Sequence, residues 1–119
     1  MTRKIVLGIT QGDTNGIGYE VIIKALSDAR ILEMCTPVVY GSSKAFGFYK
    51  KQLPEIDNIN TNIISSAKDA HPKRVNIVNC LPDNLQIEPG QCTQEGAKAA
   101  IKALEVAVEE MKAGHLDGL

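Results

Sequence analysis

The sequence predicts an α/β fold, an open and mostly parallel sheet with helices on both faces. Three observations predict it. Short apolar, β-branched runs at 5–9, 36–41 and 75–80 have the length of buried strands. The first two lead through glycine turns into segments of helical period, which is the pattern of strand–helix units. The segment 93–113 is a long amphipathic helix with a cap at each end.

The elements follow in order. Ile5, Val6, Leu7 and Ile9 read as a strand covered on both faces. The helix after it is expected to bury a stripe of Ile17, Val21, Ile22, Ala25 and Leu26, with Thr14 or Asn15 as its cap. Ser27 to Arg30 break this pattern, and 31–34 add a short helical turn. Thr36 to Gly41 form the second strand, with Pro37 at its start, where a missing amide is tolerated. Ser42 caps a helix running to Leu53 and ended by Pro54. The turn Gly41-Ser42-Ser43 either adds to a ligand edge or serves as a plain cap.

Residues 55–62 are turn-rich, 62–65 read as a short strand, and 66–70 as one helical turn. A strand at 75–80 follows, then an irregular connection over 81–91 containing Pro82, Pro89 and Gly90. In the last helix Ala97, Ile101, Leu104, Val108 and Met111 share one face, the expected core face, while Lys98, Lys102, Glu105, Glu109 and Lys112 cover the other. Thr93 caps it, Glu95 suits its positive end, and Gly114 closes it. The closing Leu116-Asp117-Gly118-Leu119 read as the start of another buried strand. The expectation is therefore that residues 1–119 are the amino-terminal part of a longer chain.

Composition narrows the function classes. The 119 residues suffice for one modest domain. A net charge of −1 and 4% aromatic residues argue against a nucleic-acid surface or a base-stacking platform. Cys35, Cys80 and Cys92 are widely spaced with no C-x-x-C pair, which fits a reducing cytoplasm. The apolar run after Arg3 and Lys4 is too short for a signal peptide or a membrane span. His71 and His115 stand far apart, with no acidic partner at ligand spacing, and read as exposed loop residues. His115 alternatively favours the negative end of its helix.

The candidate site is the first strand-to-helix loop, at the carboxyl edge of the sheet where open α/β folds bind ligands. Gly12, Gly16 and Gly18 let backbone approach a ligand, and free amides at the helix start favour an anion. The spacing G-x-x-x-G-x-G matches neither the dinucleotide fingerprint nor the phosphate loop. It reads equally as a ligand cradle or as a structural turn. Asp13 is positioned to bond a ribose hydroxyl or a neighbouring loop amide, and Glu20 supports the helix start and faces the same cleft.

The segment Gly12-Asp13-Thr14-Asn15-Gly16-Ile17-Gly18-Tyr19-Glu20 resembles the amino-terminal signature of the 4-hydroxythreonine-4-phosphate dehydrogenases of pyridoxal phosphate biosynthesis. Thr14 and Tyr19 stand where that family usually has proline. Gly90-Gln91 and the helix ending in Ala113-Gly114-His115-Leu116-Asp117-Gly118-Leu119 resemble the family's stretch before its Thr-Ala-Pro-Ile-Asn-Lys motif. The resemblance implies the isocitrate/isopropylmalate dehydrogenase type of sheet, incomplete here at its carboxyl end. It also implies a cytoplasmic homodimer that uses NAD or NADP and a divalent metal ion to oxidise and decarboxylate 4-phosphohydroxy-L-threonine. On this resemblance Gly12, Asp13, Asn15, Gly16, Ile17 and Gly18 bind cofactor or line the cleft. The metal-binding histidines and main phosphate contacts fall beyond residue 119, so no catalytic or metal-ligating residue is assigned here and the chain alone is expected to be inactive. Dehydrogenases of four-carbon sugar-acid phosphates belong to the same family and are an alternative. A small non-enzymatic domain that binds a phosphate-containing ligand is another. Neither a nucleic-acid nor a membrane partner is expected.

Overall fold

The computed structural model describes residues 4–56, 59–82 and 84–119. Strand β1 (Ile5–Thr10) is followed by helices α1 (Gly18–Leu26) and α2 (Ala29–Met34), then by β2 (Cys35–Gly41) and α3 (Ser43–Lys51). Next come β3 (Thr61–Ile64), a 3-10 turn at Ala67–Asp69, β4 (Val75–Asn79) and the long helix α4 (Gln94–Lys112). Asp57 and Asn58 of the expected turn, and Asp83 of the irregular connection, lie outside the described residues.

The strands form one sheet in the order β1-β2-β4-β3, each neighbouring pair parallel, as the sequence predicts. Alternation along the central strands supplies both cores. Val39, Val75 and Ile77 face α1 and α3, where Tyr19, Ile22, Ile23, Phe46 and Tyr49 close one core. Val38, Tyr40 and Val78 point the other way, towards Ala103 and Ala107 of α4 and towards Leu116. Residues after α4 return to β1: Gly118 bridges Leu7 in parallel, and the Gly8 amide donates to the Gly118 carbonyl at 2.9 Å. β1 itself is only half-covered, with Ile5 exposed, so the expectation of a strand buried on both faces holds for β2 and β4 instead.

Pro37 stands inside β2, ahead of the β2–β4 ladder that begins at Val38 and Asn76. Asn76 is fully buried, and its amide donates to the carbonyls of Pro37, His71 and Arg74 at 3.1, 3.0 and 3.1 Å. Its Oδ1 accepts from the His71 amide at 2.8 Å and the Asn62 side chain at 3.1 Å. A buried amide is tolerable only when satisfied in this way.

Two helices are rotated from their expected faces. In α1 the buried set is Tyr19, Ile22, Ile23 and Leu26, while Ile17 and Val21 are 73% and 56% exposed. The stripe moves because Tyr19 is drawn inside, where its ring stacks on Tyr49 at 5.5 Å and meets Phe46 edge-on at 6.3 Å. In α4 the buried set is Gly96, Ala99, Ala103 and Ala107, and the stripe expected to be core is outside, with Ile101 58% and Leu104 48% exposed.

Polar contacts at the two ends of α4 set its rotation. Near its end, the Glu110 carboxylate accepts from the Ala67 amide and the Ser66 hydroxyl, both at 2.8 Å, and lies 2.7 Å from His115 Nδ1. The Tyr40 hydroxyl completes the group at 3.3 Å. His115 is thus half-buried against an acidic partner, which corrects its reading as an unpartnered loop residue, whereas His71 is exposed as expected. Burial raises the Glu110 pKa, but the hydrogen bonds from His115, Ala67 and Ser66 outweigh it and hold the carboxyl below its ordinary value.

Ala103→Asp should cost about 3 kcal/mol or more by placing an unpaired carboxylate against the sheet, while Leu104→Asp should change monomer stability by less than about 1 kcal/mol. Thermal melts at low protein concentration check the pair. Because the folded Glu110 carboxyl titrates lower than the unfolded one, its contribution is complete above the unfolded value of about 4.3 and fades as pH falls through the folded value. The stability gap between wild type and Glu110→Gln should therefore be largest near neutrality and shrink below about pH 4. Urea titrations across that range measure it.

Candidate functional site

At the carboxyl edge of the sheet four segments meet: the loop 11–17 after β1, the turn 41–43 after β2, the exit from β4 at Asn79–Leu81, and residues 88–93 before α4. Their junction is polar and tightly bonded. Tyr19 donates from its hydroxyl to Gln11 Oε1 and accepts there from the Ser42 amide at 2.9 Å. Gln11 Nε2 donates to Thr14 Oγ1 at 2.7 Å, and the Tyr49 hydroxyl donates to the Thr14 carbonyl at 2.6 Å. Gln11, Thr14 and Tyr19 are buried. Burial pushes the Tyr19 phenol well above its ordinary range, against the lowering effect of the Ser42 amide. Tyr49 is raised first by burial and then by the negative charge of Asp13.

Two glycines exist to admit this junction. A Cβ at Gly41 would overlap the Tyr19 hydroxyl, and one at Gly18 would overlap the Gln11 carbonyl oxygen. A third, Gly96 in the first turn of α4, leaves room for Asp13 Oδ1, which would lie 2.6 Å from an added Cβ. Loop and long helix are therefore fitted to each other by missing side chains.

The residues predicted as a site divide into two groups. Gly12 and Asp13 are exposed, and Gly12 takes φ +71° with open space where a Cβ would point. Ile17 also projects outward. Asn15, in contrast, is buried and ties the loop down: it donates to Thr93 Oγ1 at 3.0 Å, and its side-chain oxygen accepts from the Glu88 amide at 2.8 Å. Its carbonyl accepts from Gly90 at 2.8 Å. Gly16 closes the turn with its amide on the Asp13 carbonyl at 3.0 Å, and Gly18 is the point of close packing. Neither Asn15 nor Thr14 caps α1. The residue before that helix is Ile17, which gives no side-chain cap, because the Thr14 hydroxyl is engaged by Gln11 and the Asn15 side chain by Thr93 and Glu88.

Asp13 Oδ1 accepts from the Asn15 amide at 3.0 Å, the loop-amide bond foreseen as one of its two uses. Glu20 pairs with Lys24 at 3.0 Å and lines a groove of about 280 Å³ with Phe48, Tyr49, Gln52, Leu53 and Pro89. Another groove of about 510 Å³ lies between Leu81, Pro82 and Leu85 and the start of α4. Neither groove is lined by residues 12–18. Ser42 is a buried cap, accepting from Ala45 at 3.2 Å. Among the described residues no three His, Cys, Asp or Glu side chains converge as a metal site, and no helix is long and apolar enough to cross a membrane. Cys35, Cys80 and Cys92 are unpaired thiols.

Sequence reasoning missed Tyr19, Gln11, Tyr49 and Thr93 as organisers of the edge. The one signal available was the spacing 19, 22, 23, 26, which is as good a helical stripe as the one based on Ile17 and Val21.

Comparison with known proteins places this geometry in context. A family model described as "Pyridoxal phosphate biosynthetic protein PdxA" matches residues 33–119. The chain is 45% identical over 115 residues to the 4-hydroxythreonine-4-phosphate dehydrogenase of Bacteroides thetaiotaomicron, an alignment covering 97% of the chain and including the loop. It is 31% identical, over its whole length, to a Clostridium botulinum protein named "Putative D-threonate 4-phosphate dehydrogenase". The crystal structure of a 4-hydroxythreonine-4-phosphate dehydrogenase from Burkholderia phymatum superposes with a TM-score of 0.83 at 28% identity, over 98% of this chain and 35% of that one. The chain spans about a third of the length of these curated relatives, 31% and 36%.

Gly18→Ala should destabilise the fold by several times more than Gly12→Ala, since only the former collides with fixed backbone. The positive φ at Gly12 should cost about 1 kcal/mol in the alanine variant. Denaturant midpoints of the two variants decide it.

Proposed function

The chain belongs to the family of the pyridoxal phosphate biosynthetic protein PdxA, and from that premise we propose that the protein acts as an NAD(P)- and divalent-metal-dependent dehydrogenase of 4-phosphohydroxy-L-threonine. The oxidation is coupled to decarboxylation, and residues 1–119 supply one wall of the cleft in a cytoplasmic homodimer. The observation that carries this reading is the 45% identity to the Bacteroides thetaiotaomicron 4-hydroxythreonine-4-phosphate dehydrogenase over 97% of the chain.

The residues present fit a wall rather than a catalytic centre. Gly12 offers open backbone, Asp13 is exposed with one carboxylate oxygen bonded to the loop, and Ile17 presents an apolar surface. In the proposed cleft the Asp13 carboxylate takes a ligand hydroxyl, Gly12 admits close approach, and Ile17 excludes water. Asn15, Gly16 and Gly18 hold that wall in place. The cofactor, when bound, accepts the hydride. The described residues do not form a metal site, so no metal-assisted step is assigned to them. Residues 1–119 by themselves are proposed to be inactive.

A second reading has its own support. The 31% identity to the Clostridium botulinum protein extends over the whole chain and favours a four-carbon sugar-acid phosphate as substrate. The two substrates share the phosphate and the secondary hydroxyl and differ in the group beside the carboxylate.

The test is nicotinamide reduction by the full-length enzyme on 4-phosphohydroxy-L-threonine and on D-threonate 4-phosphate, with and without a chelator. The expected result is a preference of at least roughly 10-fold in kcat/KM for the amino acid, lost on chelation. Asp13→Asn should raise the KM for NAD(P) several-fold without lowering the melting temperature. Reversed preference selects the second reading, and no reduction of either nicotinamide with either substrate removes both.

A further inference from the structure

Asn15 is the only asparagine in these 119 residues that is followed by glycine. That pair is open to a spontaneous reaction of its own. With no Cβ beside it, the Gly16 nitrogen can reach the carboxamide carbon of Asn15. The nitrogen gives up its proton, a bond forms between Gly16 N and Asn15 Cγ, and the carboxamide nitrogen leaves as ammonia. Water then opens the five-membered succinimide at either carbonyl, leaving aspartate or isoaspartate at position 15. Only water is consumed.

The fold keeps the two reacting groups apart. Asp13 to Gly16 form a turn closed by the Gly16 amide on the Asp13 carbonyl at 3.0 Å. Neither Thr14 nor Asn15 has a positive φ, so the turn is type I, with the ψ of Asn15 at about 0°. Ring closure needs the Gly16 nitrogen eclipsed with the Asn15 Cβ, a rotation about ψ that breaks this turn. The carboxamide is fixed as well. Its nitrogen donates to Thr93 Oγ1 at 3.0 Å, its oxygen accepts from the Glu88 amide at 2.8 Å, and the residue is buried. The Asn15 carbonyl accepts from Gly90 at 2.8 Å, so three bonds fasten the segment 88–93 to the loop and all end on Asn15. Residues 88–92 of this clasp are exposed, the condition for opening locally without unfolding the domain.

The products cannot restore the clasp. Aspartate at position 15 loses the N–H that bonds Thr93. Asp13 Oδ1 and Asn15 Nδ2 lie 2.6 and 3.1 Å from the point where a Cβ on Gly96 would sit, so the new carboxylate would stand beside an existing one. Isoaspartate adds a carbon to the main chain of the turn.

We propose that Asn15–Gly16 is a latent deamidation site kept intact by the clasp from 88–93, and that opening the clasp commits the loop to irreversible modification. The proposal does not rest on the catalytic reading, and activity is not its readout.

The experiment incubates full-length protein at mildly alkaline pH, folded or in urea, and follows tryptic peptide 5–24, whose only asparagine is Asn15, by mass spectrometry. The expected result in urea is the amide-to-acid mass gain with isoaspartate among the products. In the folded protein the rate should fall on the order of 100-fold, the worth of three net hydrogen bonds. Thr93→Ala should speed the folded reaction about 5-fold, and Thr93→Ser, which keeps the hydroxyl, should not. Lys102→Gly weakens α4 away from the clasp and should leave the rate unchanged, which separates local opening from lost global stability. A Cβ at Gly16 meets only Asp13, at ordinary contact distances of 3.4 and 3.6 Å, so Gly16→Ala preserves the turn. It should slow the reaction in urea about 10-fold. No modification in urea, or equal rates folded and unfolded, overturns the proposal. A rate unmoved by Thr93→Ala, or raised as much by Lys102→Gly, removes the clasp as the guard. An undiminished rate in Gly16→Ala overturns attack by the Gly16 nitrogen.

Discussion

The hydroxyl of Tyr19 is the constraint on which the carboxyl edge depends. It joins the first strand-to-helix turn, through Gln11, to the second, through the Ser42 amide. Both partners are buried, so losing the hydroxyl would strand a side-chain carbonyl and a backbone amide in the interior, a cost of about 1–3 kcal/mol for each. The consequences spread outward. Gly41 has no side chain because the hydroxyl occupies that place, and Gly18 has none because the helix carrying Tyr19 starts against the Gln11 carbonyl. Thr14 is held through Gln11 and Tyr49, which leaves Gly12 and Asp13 as the exposed part of an otherwise locked loop. The rigidity of this loop comes from hydrogen bonds and a stacked pair of tyrosines.

What could be read from the sequence was whatever depends on local pattern. The strands at 5–10, 35–41 and 75–79, the Ser42 and Thr93 caps, and Gly114 closing α4 at φ +85° all follow from spacing or from the conformational needs of one residue. The parallel sheet follows from those units in turn. The role of Asn76 was not legible, because a buried asparagine whose amide and oxygen are both engaged depends on strands and loops far away in sequence. Similarly, nothing near Glu110 shows that its carboxylate reaches back to Ser66 and Ala67.

The site was half legible. Reading a strand–glycine loop–helix put the candidate loop at the carboxyl edge of the sheet, where the structure has it, and the open backbone at Gly12 suits the proposed role. Asn15 looked like a cap because asparagine commonly is one, yet it serves Thr93 and Glu88, some seventy-five residues on in the chain. A cap is a local device and a clasp is not, and the two are indistinguishable until the long connection before α4 is folded back.

The rotation of α4 shows why hydrophobic period alone can choose the wrong face. Transfer of apolar area favours burying Ile101, Leu104 and Val108, but the sheet already presents Val38, Tyr40 and Val78, and Leu116 fills the space beside them. Close packing beneath such bulk calls for small residues, which Gly96, Ala99, Ala103 and Ala107 provide. The polar ends then remove any choice. Turning the large residues inward would pull Glu110 from its four partners, Tyr40, Ser66, Ala67 and His115, and drive a bulkier side chain into the place where Gly96 faces Asp13. Satisfied polar groups at both ends, and volume in the middle, together outweigh the larger apolar stripe. The same balance leaves that stripe facing outward, so the exposed strip on α4 is a consequence of how the core closes.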